Sequence, residues 1–178
     1  YSGMGMPGED AYLIGSTEGR NVLDAARAAQ ALDLGASDRV ALWGHSQGGQ
    51  AVLFAAQLAP TYAPELDVEA IAVAAPAVDL GALLKADADD ISGVTIGSYA
   101  FEAFAEVYAD RPGVDLTTIL SPGAISILPE MNERCLFGQM DELHAIGAPY
   151  VGGGFLAADP TTTEPWATLL SENTPGGQ

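Results

Sequence analysis

The stretch Arg39-Val40-Ala41-Leu42-Trp43-Gly44-His45-Ser46-Gln47-Gly48-Gly49 decides how this chain folds. Residues 39–43 form a short, nearly all-apolar run, the pattern of a strand covered on both faces in a parallel sheet. Gly44 to Gly49 breaks that run sharply. A helix is expected from about Gln47 to Leu58, with Val52, Ala55, Ala56 and Leu58 available for packing and Pro60 ending it. Val68 to Ala75 reads as the next buried strand. Strand, helix and strand in that order predict a right-handed parallel crossover unit, and so an α/β fold.

Working outward, Tyr1 to Gly15 reads as loop, punctuated by Gly3, Gly5, Pro7 and Gly8. Ser16 or Thr17 is placed to cap a helix beginning near Glu18, whose charge suits a helix N-terminus. Val22, Ala25, Ala26 and Ala29 recur at helical spacing, and Leu34 precedes a stop at Gly35. Beyond Asp79 the strand–helix rhythm disappears. Gly81 to Asp87, Ser98 to Asp110 and Met131 to Leu143 are expected helices. Pro149 to Pro165 is loop, Trp166 to Leu170 a short helix, and Pro175 to Gln178 turn. The organisation expected is therefore an α/β core over 1–79, a helical insertion over 80–150, and a return segment over 151–178.

Composition excludes several classes of function. The 178 residues hold 6 basic and 24 acidic side chains, for a formal charge of −18. Nucleic acid is a poor partner, because displacing its counterions takes Lys and Arg. Hydrophobic residues make up 48%, too many for a self-solvating chain. No apolar run is long enough to cross a bilayer, and these residues contain no signal-peptide pattern. Cys135 is the only cysteine, so no disulfide can form among them.

Gly44-His45-Ser46-Gln47-Gly48 is a G-x-S-x-G nucleophile elbow in its required context, strand before and helix after. The turn strains the serine backbone and raises its Oγ above the strand ends. Side chains two positions away would collide with the adjacent strand and helix. Ser46 is the candidate nucleophile and the Gln47 backbone N–H a candidate oxyanion-hole donor. His45 precedes the nucleophile on the turn and is badly placed to take its proton.

Four blocks then carry a family resemblance: Tyr1 to Gly8, Tyr12 to Arg20, Gly44 to Gly49, and Glu172 to Gly176. Together they resemble the secretory lipase family, whose members are similar to the fungal lipase A type and common in actinobacteria. The resemblance implies an α/β-hydrolase fold, here a partial parallel sheet with helices on both faces and a helical cap insertion. It implies hydrolysis of acylglycerols or other carboxylic esters outside the cell, at a lipid–water interface or on smaller esters, with neither a metal nor an organic cofactor. The family's second oxyanion contributor would fall just before Tyr1, and its catalytic acid and histidine beyond Gln178. On this reading the sequence is an internal fragment.

Within the chain, Ser46, Asp79 and His144 satisfy the usual order of nucleophile, acid and base. Asp79 also reads as a helix N-cap before Leu80, and His144 as a helix C-terminal histidine favoured by the dipole. An acyltransferase or peptidase would share the elbow, and a non-catalytic binding module would share the fold. Asp87, Asp89 and Asp90 lack the spacing of a calcium loop. The stripe Phe101, Phe104 and Tyr108 reads as packing or as the lining of an acyl pocket. Gly152 to Gly154 lacks the strand and helix of a phosphate loop.

Overall fold

A computed structural model describes residues 1–3, 8–32 and 35–176. The readings of Gly5 and Pro7 as turn, of Leu34 as the end of the first helix, and of Gly177 and Gln178 as turn lie outside the described residues. The chain divides into two compact units, Tyr1–Asp79 with Glu172–Gln178, and Leu80–Ser171.

The first unit follows the order α1 (Gly15–Ala31), β1 (Arg39–His45), α2 (Gln47–Tyr62) and β2 (Asp67–Ala74). The strands pair in parallel from Arg39↔Asp67 to His45↔Ala74, with one irregularity between Val40 and Ala41. Leu23, Ala55, Ala59, Ala63 and Leu66 form a buried cluster, against which Val40, Leu42 and Val68 pack. Both helices therefore lie on one face of the strand pair, not one on each. The opposite face presents Ala41 beside Ala70 and Trp43 beside Ala72. It is exposed, with Trp43 at 69%, so the two-sided burial expected of these strands is not met within the described chain.

Helix α1 starts earlier than its sequence suggests and turns a different face inward. Its N-cap is Ile14, with no side-chain cap, so neither Ser16 nor Thr17 caps it. The reason is tertiary: the Gly15 N–H donates to Asn173 Oδ1 at 2.9 Å, which satisfies an otherwise orphaned helix donor. The buried positions are Gly15, Glu18, Gly19 and Leu23, while Ala25 is exposed. Close approach selects this face. A Cβ at Gly15 would lie 2.1 Å from the Phe54 ring, and one at Gly19 would lie 2.8 Å from the Ala55 nitrogen.

Helix α2 runs through Pro60 to Tyr62. Proline so close to a helix C-terminus removes one ladder bond without stopping the last turn, and Ala63 N–H still reaches the Ala59 carbonyl at 3.0 Å.

The second unit is helical: α3 (Leu80–Asp87), α4 (Ile91–Val107), α5 (Pro122–Asn132), α6 (Met140–Gly147) and α7 (Trp166–Glu172), the last ending at the first unit's Glu172. Phe101, Phe104, Leu128, Met131, Leu143, Phe155 and Trp166 are all buried. Phe101 meets Trp166 edge to face at 5.8 Å, so the aromatic stripe of α4 is a packing surface. That helix begins seven residues before the expected Ser98, because the Asp90 carboxylate accepts from the Ser92 and Gly93 N–H groups at 2.7 and 3.0 Å. The helix expected over 131–143 is broken. Helix α5 is capped by Ser121 and ends at Asn132. The Cys135 carbonyl then accepts from Gly138 and Gln139, a turn that leaves Phe137 91% exposed.

Candidate active site

Ser46 stands between β1 and α2 with φ +53° and ψ −119°, a region that L residues enter only under constraint. The constraint is visible bond by bond. Ser46 N–H donates to the Ala74 carbonyl at 3.1 Å, carrying the parallel ladder one residue past β1. The Ser46 carbonyl in turn accepts from Gly49, Gln50 and Ala77 N–H groups at 3.0, 3.2 and 3.0 Å. The residue is thus tied to the start of α2 and to the chain leaving β2, while its own surface stays exposed.

Of the glycines around the turn, Gly44 and Gly49 are sterically required, whereas Gly48, two positions after the serine, is not: a Cβ there would meet only the Tyr1 hydroxyl, at 4.0 Å. A Cβ on Gly44 would sit 2.0 Å from the Gly48 carbonyl oxygen. One on Gly49 would sit 2.7 Å from Pro76 Cβ. Gly44 therefore answers to the helix and Gly49 to the segment after β2. Gln47 heads α2, so its N–H is among the four with no intrahelical acceptor, at the end where the helix favours negative charge.

Beneath the elbow lies a buried polar network that sequence reasoning missed. Glu18 Oε1 accepts from Leu13 N–H at 3.0 Å and from the Gln47 side-chain amide at 2.5 Å. Gln50 Nε2 donates to the Leu13 carbonyl at 3.1 Å and to the Asn173 carbonyl at 2.7 Å. Glu18 and Gln50 are fully buried, and Asn173 nearly so. Glu18 Oε2 and Gln50 Oε1 have no hydrogen-bond partner among the described residues. Burial raises the Glu18 carboxyl to about 7, against the opposing hydrogen bonds from Gln47 and Leu13 and with Asp10 adding repulsion. The available signals were a glutamate set between Gly15 and Gly19, and a glutamine on the apolar side of α2.

The other expected site residues are distributed as follows. Asp79 ends the first unit, exposed, at φ +54°. His144 lies in the second unit, in the last turn of α6. His45 is exposed beside the serine. Among the described residues no group of three or more His, Cys, Asp or Glu side chains is arranged to hold a metal ion. Gly152 to Gly154 forms turns, in which Gly152 N–H donates to the Asp89 carbonyl at 2.9 Å.

A parallel strand–helix–strand unit whose sharp turn holds a positive-φ serine between two sterically required glycines is of the α/β-hydrolase type. Solved structures agree on the fold. The X-ray structure of Candida antarctica lipase A matches with a TM-score of 0.69 at 21% identity, over 92% of this chain and 38% of that one. The closed state of the same lipase matches with the same score and coverage at 22% identity. This chain thus spans 38% of the length of the lipase it matches. Residues 1–172 match the secretory lipase family, and the chain belongs to that family. Comparison with curated protein sequences gives no match.

Proposed function

We propose that this chain carries the nucleophile of a serine carboxylic-ester hydrolase acting on acylglycerols and related esters outside the cell. The observation that carries the proposal is the backbone of Ser46, held at φ +53° and ψ −119° between a strand and a helix N-terminus. Membership of the secretory lipase family supports the substrate class and the location.

In this mechanism Ser46 Oγ attacks the ester carbonyl as a histidine base takes its proton. The tetrahedral oxyanion is held by the Gln47 N–H and a second donor, with the positive end of α2 beneath it. The proton passes to the departing alcohol, leaving an acyl-serine that water hydrolyses by the same route in reverse. The acid and the histidine are contributed in this reading by the remainder of a lipase-sized protein, and Asp79 with His144 is the alternative. The helical stretch 80–150 is proposed as the cap of this hydrolase. No helix among the described residues is long and apolar enough to cross a membrane.

The test is turnover of p-nitrophenyl butyrate and palmitate by the full-length protein, beside Ser46→Ala. The variant is expected to lose turnover and labelling by a fluorophosphonate probe. Retained turnover in Ser46→Ala would remove the assignment. An unlabelled wild-type protein would identify a binding module on a hydrolase-type fold.

A further inference from the structure

Glu18 is a costly residue in its position. It lies on the buried face of α1, between two glycines that bring α1 against α2. An apolar side chain there would avoid the desolvation of a carboxyl group with one oxygen unpartnered among the described residues. What the carboxyl provides is a single acceptor, Oε1, shared by two donors from different parts of the unit. One is the N–H of Leu13, which itself sits at φ +59°. The other is the side-chain amide of Gln47, 29 residues away along the chain.

Gln47 is the first residue of α2 and follows Ser46 directly. Its main-chain N–H is free of the helix ladder, so its direction depends on how the first turn is anchored. The Ser46 carbonyl anchors that turn from one side, through Gly49 and Gln50. The Glu18–Gln47 bond anchors it from the other.

We infer that Glu18 is a positioning residue for acyl transfer: its buried carboxyl grips the Gln47 side chain and thereby aims the Gln47 N–H at the developing oxyanion. The inference rests on the hydrolase reading above. It does not place Glu18 in contact with substrate, and it assigns the carboxyl's effect to one hydrogen bond. Electrostatic stabilisation depends on donors held where charge will develop, so a small misdirection of this N–H is felt in the chemical step rather than in substrate binding.

The experiment is a double-mutant cycle in the full-length protein, read by kcat and KM for p-nitrophenyl butyrate and by the rate of fluorophosphonate labelling. Glu18→Ala is expected to lower kcat by about 10²-fold with KM little changed, the scale of a displaced catalytic group. Gln47→Leu should lower it by a similar factor. The combined variant should fall no further than either single one, because both remove the same bond. Glu18→Gln keeps an acceptor oxygen in place and should return kcat to within about twofold of wild type, the tolerance within which independent effects add.

An unchanged kcat in Glu18→Ala overturns the inference. So does a double variant whose loss is the product of the single losses, or a Gln substitution as damaging as Ala. If Glu18→Ala fails to give a cooperative thermal transition, Gln47→Leu carries the test, since it leaves the buried carboxyl in place; full activity there overturns the inference. Failure of the hydrolase reading is a separate result, seen as turnover that survives Ser46→Ala or as a wild-type protein that neither turns over nor labels, and it removes this inference too.

Discussion

The two units of this chain are held together in different ways. In the first, main chains approach closely at key points: Gly19 lies against the backbone of α2, Gly15 against the Phe54 ring, and Gly44 and Gly49 close the turn around Ser46. Its buried polar groups, Glu18, Gln50 and Asn173, then bond mostly to main-chain atoms. The second unit is built from large side chains, with Phe101, Phe104, Phe155 and Trp166 packed among Leu and Met and helices started by Asp90 and Ser121 caps. A packed apolar core tolerates exchange of one hydrophobic residue for another of similar volume. A backbone-to-backbone contact has no such reserve, because nothing at the contact can rotate away. The unit that sets the backbone geometry of Ser46 is therefore the one in which adding a methyl group matters most.

That contrast is most sharply tested at Gly44. Gly44→Ala places a methyl against the Gly48 carbonyl and is expected to cost more than about 4 kcal/mol, among the largest effects of a point substitution. Urea unfolding followed by far-UV circular dichroism would measure it, and a loss under about 0.5 kcal/mol, the ordinary surface scale, would break the comparison.

The next effect in size is a pH dependence specific to the first unit. The Glu18 carboxyl is raised in the folded state from 4.5 to about 7, so the folded protein holds that proton more tightly than the unfolded chain does. Stability from this group is complete below pH 4.5 and is lost progressively as pH rises to about 7. The loss reaches about 3 kcal/mol at most. The groups acting on the carboxyl are the Gln47 and Leu13 hydrogen bonds and the Asp10 carboxylate. Glu18→Gln should flatten this part of the stability curve and leave the variant more stable than wild type above pH 7. A wild-type curve no steeper than the variant's would show that the carboxyl is not the source.

The smallest effect belongs to the second unit. Ser121 Oγ accepts from Ala124 N–H at 3.1 Å and donates to the Gly154 carbonyl at 2.8 Å. Ser121→Ala should cost about 1 kcal/mol, the usual value of a helix N-cap, read from thermal unfolding with the far-UV spectrum unchanged. A cost as large as that of Gly44→Ala would erase the distinction between the units.

The sequence by itself determined the local grammar around Ser46. An apolar run, a Gly-x-Ser-x-Gly turn and a helix-forming stretch are each set by neighbours within a few residues. Strand, elbow and helix could therefore be read from residues 39–58, and a second strand from residues 68–75. Membership of the secretory lipase family was legible in the same way, from short blocks. Tertiary structure alone decided what depends on distant partners. Helix α1 begins at Gly15 because an amide oxygen 158 residues further on accepts its N–H. Glu18 resembles an ordinary helix N-terminal acid until the inward turn of its helix face buries it against Leu13 and Gln47. The break after Asn132 escapes a periodicity argument because a turn through Cys135 and Gln139 interrupts apolar spacing that otherwise continues. Periodicity reports which residues share a face of an element. It carries no information on how deeply that face is buried or which group will accept a given proton, because those are properties of the packed chain.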